Sequence, residues 1–365
     1  MDGLVGHKIG PYELRSLLGS GGMGAVYEGI HEILEQERAV KVMSAHLASH
    51  SGFVSLFRRE AMLAAKLRHR NVVQIHDVGE ENGRNFIVME RLTGRTLRDV
   101  VKAESPLGVE RVIHILEQLA DALDYAHSQR VSHRDVKPAN IFVDSSDHVT
   151  LVDFGIARAA DGTHLTITTG IGTPEYMAPE AFDDEILGPD ADPYELGVGT
   201  DLYAIGVVAY ELIAGRVPFT GRTPQSVAYN QVHRPPPPIR SLRAGLPDAI
   251  EPVLVRQLSK HPADRYPTAC DFVANLREAV RQMPSDVFDA HTIPFLGFPP
   301  GPSTPTPPCR PERSRPNPSC LRPFGVLRVE PRCVAMPPRH AGEPLRSSRA
   351  HSKGCYCGNG PGWTA

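Results

Sequence analysis

Apolar positions follow two rhythms along this chain. Between residue 12 and about residue 92 they fall in short β-rich runs, at 12–18, 25–28, 38–43, 72–78 and 86–90, parted by turn signals such as Glu81-Asn82-Gly83. One helical period interrupts them: Phe57, Ala64 and Leu67 share a face within residues 53–68. From Leu97 onward the helical period takes over. Residues 110–129 set Ile113, Leu116, Ala120 and Leu123 on one face. Residues 202–213 are apolar nearly all round, which predicts a buried helix too short for a bilayer. The chain therefore reads as α+β and bilobal. A small β-rich lobe with one main helix (12–90) precedes a larger helical lobe (93–283), with a cleft between them of the kind that holds ligands. No internal repeat is visible. The prolines at 235–238 lie within the helical lobe and read as a rigid inter-helix loop, not as an SH3 or WW ligand.

Composition changes this picture only past residue 283. The 365 residues carry a net charge of −3, yet residues 284–365 hold 17 of the 34 prolines, five of the six cysteines, ten Lys/Arg and five Asp/Glu. The first 283 residues are left with 29 Lys/Arg against 37 Asp/Glu, a net −8 against +5 for the tail. With no sustained period, the tail is expected to be disordered, its charge solvated and not a site for nucleic acid or lipid. Its cysteines at 309, 320, 333, 355 and 357 have irregular gaps and no C-x-x-C pair, so no zinc site is expected. Before the tail, a single cysteine, Cys270, predicts no disulfide framework and suits a reducing cytoplasm. No apolar run approaches the ~20 residues of a membrane span. The start, MDGLVGHKIG, lacks the charged and apolar regions of a signal peptide, and residues 1–11 read as a short extension before the folded part.

Chemistry is concentrated in a few segments. Gly19-Ser20-Gly21-Gly22-Met23-Gly24 is a G-x-G-x-x-G run, and alone it is ambiguous. In a dinucleotide-binding fold these glycines open a helix. Here Ala25-Val26-Tyr27 continues as a strand, so the run reads as a hairpin whose bare backbone amides can approach phosphate oxygens. Arg38-Ala39-Val40-Lys41 then puts an ammonium on an apolar strand, which demands an anionic partner. Glu60 falls on the apolar Phe57–Ala64–Leu67 face and is the natural one. The plainer alternative pairs Glu60 with Arg58 or Arg59 at the surface. Residues 133–140, His-Arg-Asp-Val-Lys-Pro-Ala-Asn, bring a base-capable carboxylate (Asp135), a cation (Lys137) and an amide oxygen (Asn140) into one loop. After twelve further residues comes Asp153-Phe154-Gly155. Phosphoryl transfer to a hydroxyl needs a group to orient the alcohol, charge neutralisation and oxygen ligands for a metal. The order and spacing coincide with H-R-D-x-x-x-x-N and D-F-G.

These segments, together with LLGSGGMGAVYEG, FRREAMLAAKLRHRNVV, FIVMERLTG and GTPEYMAPE, resemble the eukaryotic-type serine/threonine protein kinases, most closely their bacterial branch. The likeness covers residues 10–283 and implies the bilobal kinase fold. It implies ATP as the phosphoryl donor, Mg²⁺ (or Mn²⁺) as the metal, and protein serines and threonines as acceptors. By position, Leu18 and Val26 would close over adenine, with Ala39 beside them and Phe142 as the floor. Met89 would be the gatekeeper, and the backbones of Glu90 and Leu92 would meet the adenine edge. Gly19, Ser20, Gly21, Gly22, Met23, Gly24 and Ala25 would cover the phosphates. Lys41, held by Glu60, would bind the α- and β-phosphates, and Asn140 and Asp153 would ligate the metal. Asp135 would orient the substrate hydroxyl, and Lys137 would neutralise the γ-phosphoryl. Arg265 would brace Glu180, while His133, Phe154 and Asp201 would be structural.

Arg134, next to Asp135, is placed to receive a phosphate from Thr163, Thr166, Thr168 or Thr169, so activation by autophosphorylation in the 155–172 loop is expected. The resemblance also raises a homodimer through the small lobe. Two departures stand out. Glu180 and Asp201 are farther apart than this branch usually has, separated by an acidic, turn-rich stretch that reads as a solvated insertion or as a docking surface. Arg91 stands in the hinge where an aromatic is more usual. Many bacterial relatives continue into a membrane helix and an outer sensor, and no such continuation is expected here. Two competing functions remain, a nucleotide-binding pseudokinase scaffold and a small-molecule phosphotransferase. Intact Lys41, Asp135, Asn140 and Asp153 argue against the first, and the GTPEYMAPE segment argues against the second.

Overall fold

The computed structural model describes residues 3–22, 24–48, 51–154, 173–183, 186 and 192–282, except for the side chains of residues 46, 51–53, 56 and 60. The expectations for the 155–172 loop and for the 284–365 tail lie outside the described residues.

The small lobe is a six-stranded antiparallel sheet, β1 (Lys8–Ile9), β2 (Tyr12–Gly21), β3 (Gly24–His31), β4 (Glu37–Met43), β5 (Ile75–Glu81) and β6 (Arg84–Glu90), in the order β1-β2-β3-β4-β6-β5. Its register decides which side chains can meet a ligand. Val26 pairs with Lys41 and Lys41 with Ile87, while Glu28 pairs with Ala39 and Ala39 with Met89, so these residues share one face. The alternate positions Ala25, Tyr27, Val40, Val42 and Val88 form a separate apolar cluster on the other face. Two short helices, α1 (Ala45–Ala48) and α2 (Ser51–Ala64), follow β4. α2 buries Phe57, Ala61 and Ala64.

Some boundaries in the small lobe differ from the sequence reading. α2 stops at Ala64, and a tight turn with Leu67 N–H donating to Ala64 O (3.1 Å) carries Leu67 into the core. The run at 72–78 becomes a strand only from Ile75. Before that, Val73 N donates to Leu151 O (3.0 Å) and Leu151 N donates to Asn71 O (2.8 Å). These backbone groups stitch the small lobe to the large one, so they are not available to the sheet.

The large lobe contains α3 (Leu97–Glu104), α4 (Val109–Ser128), α5 (Pro193–Ala214), α6 (Pro224–His233), α7 (Ile250–Gln257) and α8 (Ala269–Arg281). A three-stranded sheet, β7 (Arg95–Thr96), β8 (Ile141–Val143) and β9 (Val149–Leu151), sits at the cleft. α4 buries Val112, Ile115, Leu116, Leu119 and Leu123, each worth about 1.5–3 kcal/mol of transfer free energy. α5 is longer than the expected 202–213. Asp192 caps it, Pro193 occupies its first turn, and Gly215 ends it in a left-handed conformation (φ 78°). At 22 residues it is long and apolar enough to cross a membrane by length and composition, which overturns the argument from length. Its apolar window is 83% buried within the protein, as a core helix requires.

Candidate active site

The β2–β3 hairpin forms the lip of the cleft. Gly21 faces Gly24, and Gly19 faces Val26. Gly24 has φ 149° and lies so close to β4 that an added Cβ would sit 2.0 Å from Val42 O, so no other residue fits. Built Cβ atoms at Gly19, Gly21 and Gly22 would meet nothing within 4 Å. Met23 lies outside the described residues. Ala25 is buried in the opposite cluster, which leaves only its backbone at the lip of the cleft. On the cleft face, Ala39 and Met89 are buried, and Val26, Leu92 and Phe142 pack half-buried against the same core. Leu18 is 42% exposed at the rim.

In the hinge, Glu90 is tied to Gln74 by its backbone N–H (2.9 Å, to Gln74 O) and by its carboxylate, which accepts Gln74 N–H (2.7 Å). Arg91 reaches out of the hinge to Glu28 of β3 (Nε to Oε1, 3.3 Å) and donates to Leu92 O (2.8 Å). Ser16 donates to the same Glu28 carboxylate (2.8 Å). This hydroxyl, together with Arg91, holds the Glu28 carboxyl below the usual carboxylate range.

Lys41 is only 8% exposed, and its Nζ lies 2.7 Å from Asp153 Oδ1. The anionic partner demanded by a buried ammonium is thus present, and it comes from the large lobe. The side chain of Glu60 lies outside the described residues. Arg58, one of the two surface alternatives for it beside Arg59, donates to Asn85 (2.9 Å) and pairs with Glu80. Burial raises the Asp153 carboxyl, but the Lys41 ammonium outweighs it, with Lys137 adding to the effect. The net shift is downward and the group is ionised at neutral pH. Asp153 sits at φ 58°, a left-handed conformation that a non-glycine residue holds only under local constraint.

Asp201, within α5 and wholly buried, supplies the constraint for the catalytic loop. Its Oδ1 accepts Arg134 N–H (2.6 Å), and its Oδ2 accepts His133 N–H (2.7 Å) and lies 2.9 Å from His127 Nε2. Arg134 is thereby held at φ 62°. His133 donates from Nε2 to Val152 O (2.9 Å) and accepts Asp135 N–H at Nδ1 (3.2 Å), an arrangement that requires neutral imidazole. Burial lowers its pKa and so favours that form. The His133 ring packs on Phe154 at 4.7 Å between centroids.

The loop thereby presents Asp135, whose Oδ2 lies 2.7 Å from Lys137 Nζ and accepts Asn140 Nδ2–H at 2.9 Å. Asn140 Nδ2 also donates to Asp135 O (2.8 Å), which leaves its own Oδ1 as an oxygen donor. Below the loop, Arg265 makes a two-pronged ion pair with Glu180, both contacts 2.7 Å and both side chains fully buried.

Several functional-looking residues escaped the sequence reading. Gln231 on α6 donates to Glu175 O (2.7 Å) and Pro174 O (3.3 Å), tying α6 to the GTPEYMAPE segment. Tyr176 of that segment donates to Glu211 of α5 (2.6 Å). Buried Asn71 and Gln118 bond each other (3.1 Å) and reach Val149 of β9 by its O (2.6 Å) and N–H (3.0 Å). The one usable signal was Gln118, a polar residue among the apolar positions of α4. A cavity lined by Tyr27, Met43 and Arg84 also touches Gly24 and Ala25 of the hairpin, but not Lys41, Asp135, Asn140 or Asp153.

Residues 12–277 match the protein kinase domain family. The chain is 40% identical over 277 residues to the serine/threonine-protein kinase PknB of Mycobacterium tuberculosis (74% of this chain, 43% of that protein). It is 38% identical over 286 residues to PknH of the same species (78% and 44%). To PrkC of Bacillus subtilis it is 34% identical over 278 residues (76% and 42%). The chain thus spans less than half the length of these curated relatives. The crystal structure of the M. tuberculosis PknI kinase domain superposes with a TM-score of 0.60 at 31% identity, covering 75% of this chain and 98% of that one. The family match runs across both lobes and takes in every residue of the site described above, and the chain belongs to the protein kinase family, in its bacterial serine/threonine branch.

Proposed function

We propose that this chain transfers the γ-phosphoryl group of ATP to serine and threonine hydroxyls of proteins. The observation that carries the reading is the seating of Asp135. Its carboxylate is gripped by Lys137 and Asn140 on a loop fixed by Asp201, and Asp153 is brought to Lys41 across the cleft. A carboxylate so held can orient and accept the proton of an incoming hydroxyl. Lys137 sits close enough to Asp135 to offset charge on the phosphoryl as it moves between the two oxygens.

Kinase domains use ATP with a divalent metal, and the donor set here suits a hard cation. Asn140 Oδ1 and the ionised Asp153 carboxylate are the oxygen ligands we assign to it, with Mg²⁺ preferred and Mn²⁺ a substitute. When bound, the metal neutralises phosphate charge. We assign adenine to the space between Val26, Ala39 and Met89 on one side and Phe142 on the other, with Leu18 at the rim. The hinge backbones of Glu90 and Leu92 are assigned to its edge. The phosphates fall to the 19–25 hairpin and Lys41, with Glu60 as the second partner of Lys41.

ATP use puts the domain on the cytoplasmic side, and autophosphorylation within 155–172 completes the proposal. Ile33 and Leu34, 85% and 58% exposed at the β3–β4 turn, support a small-lobe homodimer, and sedimentation that shows only monomer at high concentration would remove that part. No observation favours a pseudokinase scaffold. The test is labelled Mg·ATP with a generic basic protein, comparing wild type with Lys41→Met. Label on serine and threonine that is lost in the variant supports the reading, and equal label in both overturns it.

A further inference from the structure

One side chain carries the hinge back onto the small-lobe sheet. Glu28 of β3 is in register with Ala39 of β4, and Ala39 with Met89 of β6, two residues before Arg91. Glu28 and the start of the hinge are therefore two strand spacings apart, roughly 10 Å, a gap that only a long side chain can bridge. Arg91 bridges it, with Nε 3.3 Å from Glu28 Oε1.

Both ends of this bridge are fixed. Arg91 Nη1 donates to Leu92 O (2.8 Å). On the other side, Ser16 of β2 lies opposite Glu28 in the ladder, and its Oγ donates to Glu28 Oε2 (2.8 Å). The side chains of Arg91 and Glu28 are 31% and 24% exposed, so solvent screens the pair only in part. One hydrogen-bonded chain thus runs from β2 through β3 to the hinge.

Its place matters because of what flanks it. Glu28 is two residues along β3 from Val26 and shares its face, and Arg91 stands between Glu90 and Leu92. Val26 is the roof assigned to adenine, and the backbones of Glu90 and Leu92 are assigned to its edge. The ion pair joins the roof strand of that space to the backbone at its edge.

We propose that Glu28 and Arg91 form a clip that holds β3 at a set distance from the hinge and so lengthens the stay of a bound adenine nucleotide. Both are positioning residues, acting through Val26, Glu90 and Leu92 and not on the reacting atoms. The proposal rests on the assignment of adenine made above. A site held at its binding width has less freedom to lose when the ligand enters, and such gains are read mostly in the rate of leaving.

The experiment follows release of methylanthraniloyl-ADP from the full chain in Mg²⁺, by stopped-flow displacement with excess ATP. It compares wild type, Glu28→Gln, Arg91→Met and the double variant. Each single variant releases the nucleotide about fivefold faster, the scale of one partly shielded ion pair, with association within about twofold. The double variant is no faster than the faster single one, because either change alone opens the clip. Raising salt to about 0.5 M speeds wild type more than the variants and narrows the gap to about twofold. Thermal midpoints stay within about 4 °C of wild type.

Release within about 1.5-fold of wild type in both single variants overturns the clip, as do single effects that add in full in the double variant. Faster release with a larger fall in both midpoints also overturns it, in favour of general loosening of the lobe. A wild type that binds no adenine nucleotide overturns the proposed function and the clip with it. Binding by wild type with equal release from the variants removes the clip alone.

Discussion

Replacing Asp201 with Asn should separate the scaffold of the site from its chemistry. The carboxylate is fully buried and serves Arg134 N–H, His133 N–H and His127 Nε2 at 2.6–2.9 Å. An amide offers one oxygen and one NH₂, so in either orientation a buried backbone N–H faces another N–H. One orphaned donor costs about 1–3 kcal/mol. The remaining bonds lose their charge assistance and about half their strength. Relaxation of Arg134 from φ 62° returns roughly 1 kcal/mol. The net loss is then about 3–4 kcal/mol, in line with breaking one side of a buried network. For a domain of this size that lowers Tm by roughly 10 °C. A loop displaced by 1 Å costs on the order of a hundredfold in kcat. The ATP KM, which we assign to Lys41, Asp153 and the hinge, should change little. Urea unfolding followed by far-UV circular dichroism, with steady-state kinetics on the same preparations, checks both numbers. A loss below about 1 kcal/mol with kcat within threefold would refute the anchoring role.

Two further outcomes follow from buried charges. Arg265→Met should cost about 3–5 kcal/mol by stranding Glu180, and the double change Glu180→Leu/Arg265→Met should recover most of it. A double-mutant cycle in urea measures the coupling, and a single-variant cost under about 1 kcal/mol would contradict it. Lys260 donates to Gln231 O and lies 4.4 Å over the Phe219 ring. Burial and nearby Arg265 push it from 10.5 down to about 8. Between those values the unfolded chain binds more protons, so this group makes stability rise with pH from about 8 to 10.5. In Lys260→Met that rise should be missing, and unfolding midpoints that run parallel to wild type across pH 7–10 would sink the assignment.

The strands and the glycine hairpin were legible because their signals are local. Alternation and turn residues act over a few positions, and Gly24 is required by its immediate neighbour strand. The true start of α5 was not. Gly197, Gly199 and Thr200 dilute the apolar pattern, yet they are buried where the helix approaches Ser132, Glu180 and Pro262 closely. Small residues that permit close approach look like breakers in a one-dimensional reading. The site's residues were legible as a set of spacings, but the contact across the cleft was not. Lys41 on an apolar strand called for an anion, and counting along one lobe named Glu60, whose side chain lies outside the described residues; Asp153, which arrives at 2.7 Å from the other lobe, was not named as its partner. Gln118, Asn71, His127 and Gln231 were missed because their partners are backbone groups or carboxylates far away in sequence.

The central claim is that the carboxylate held by Lys137 and Asn140 turns bound ATP into a phosphoryl donor for hydroxyl groups. The most direct measurement is single-turnover transfer from Mg·ATP to a serine/threonine substrate by wild type and Asp135→Asn, with ATP affinity measured alongside. We predict unchanged ATP binding and a rate at least about a hundredfold lower in the variant. Transfer at the wild-type rate by Asp135→Asn would contradict the account.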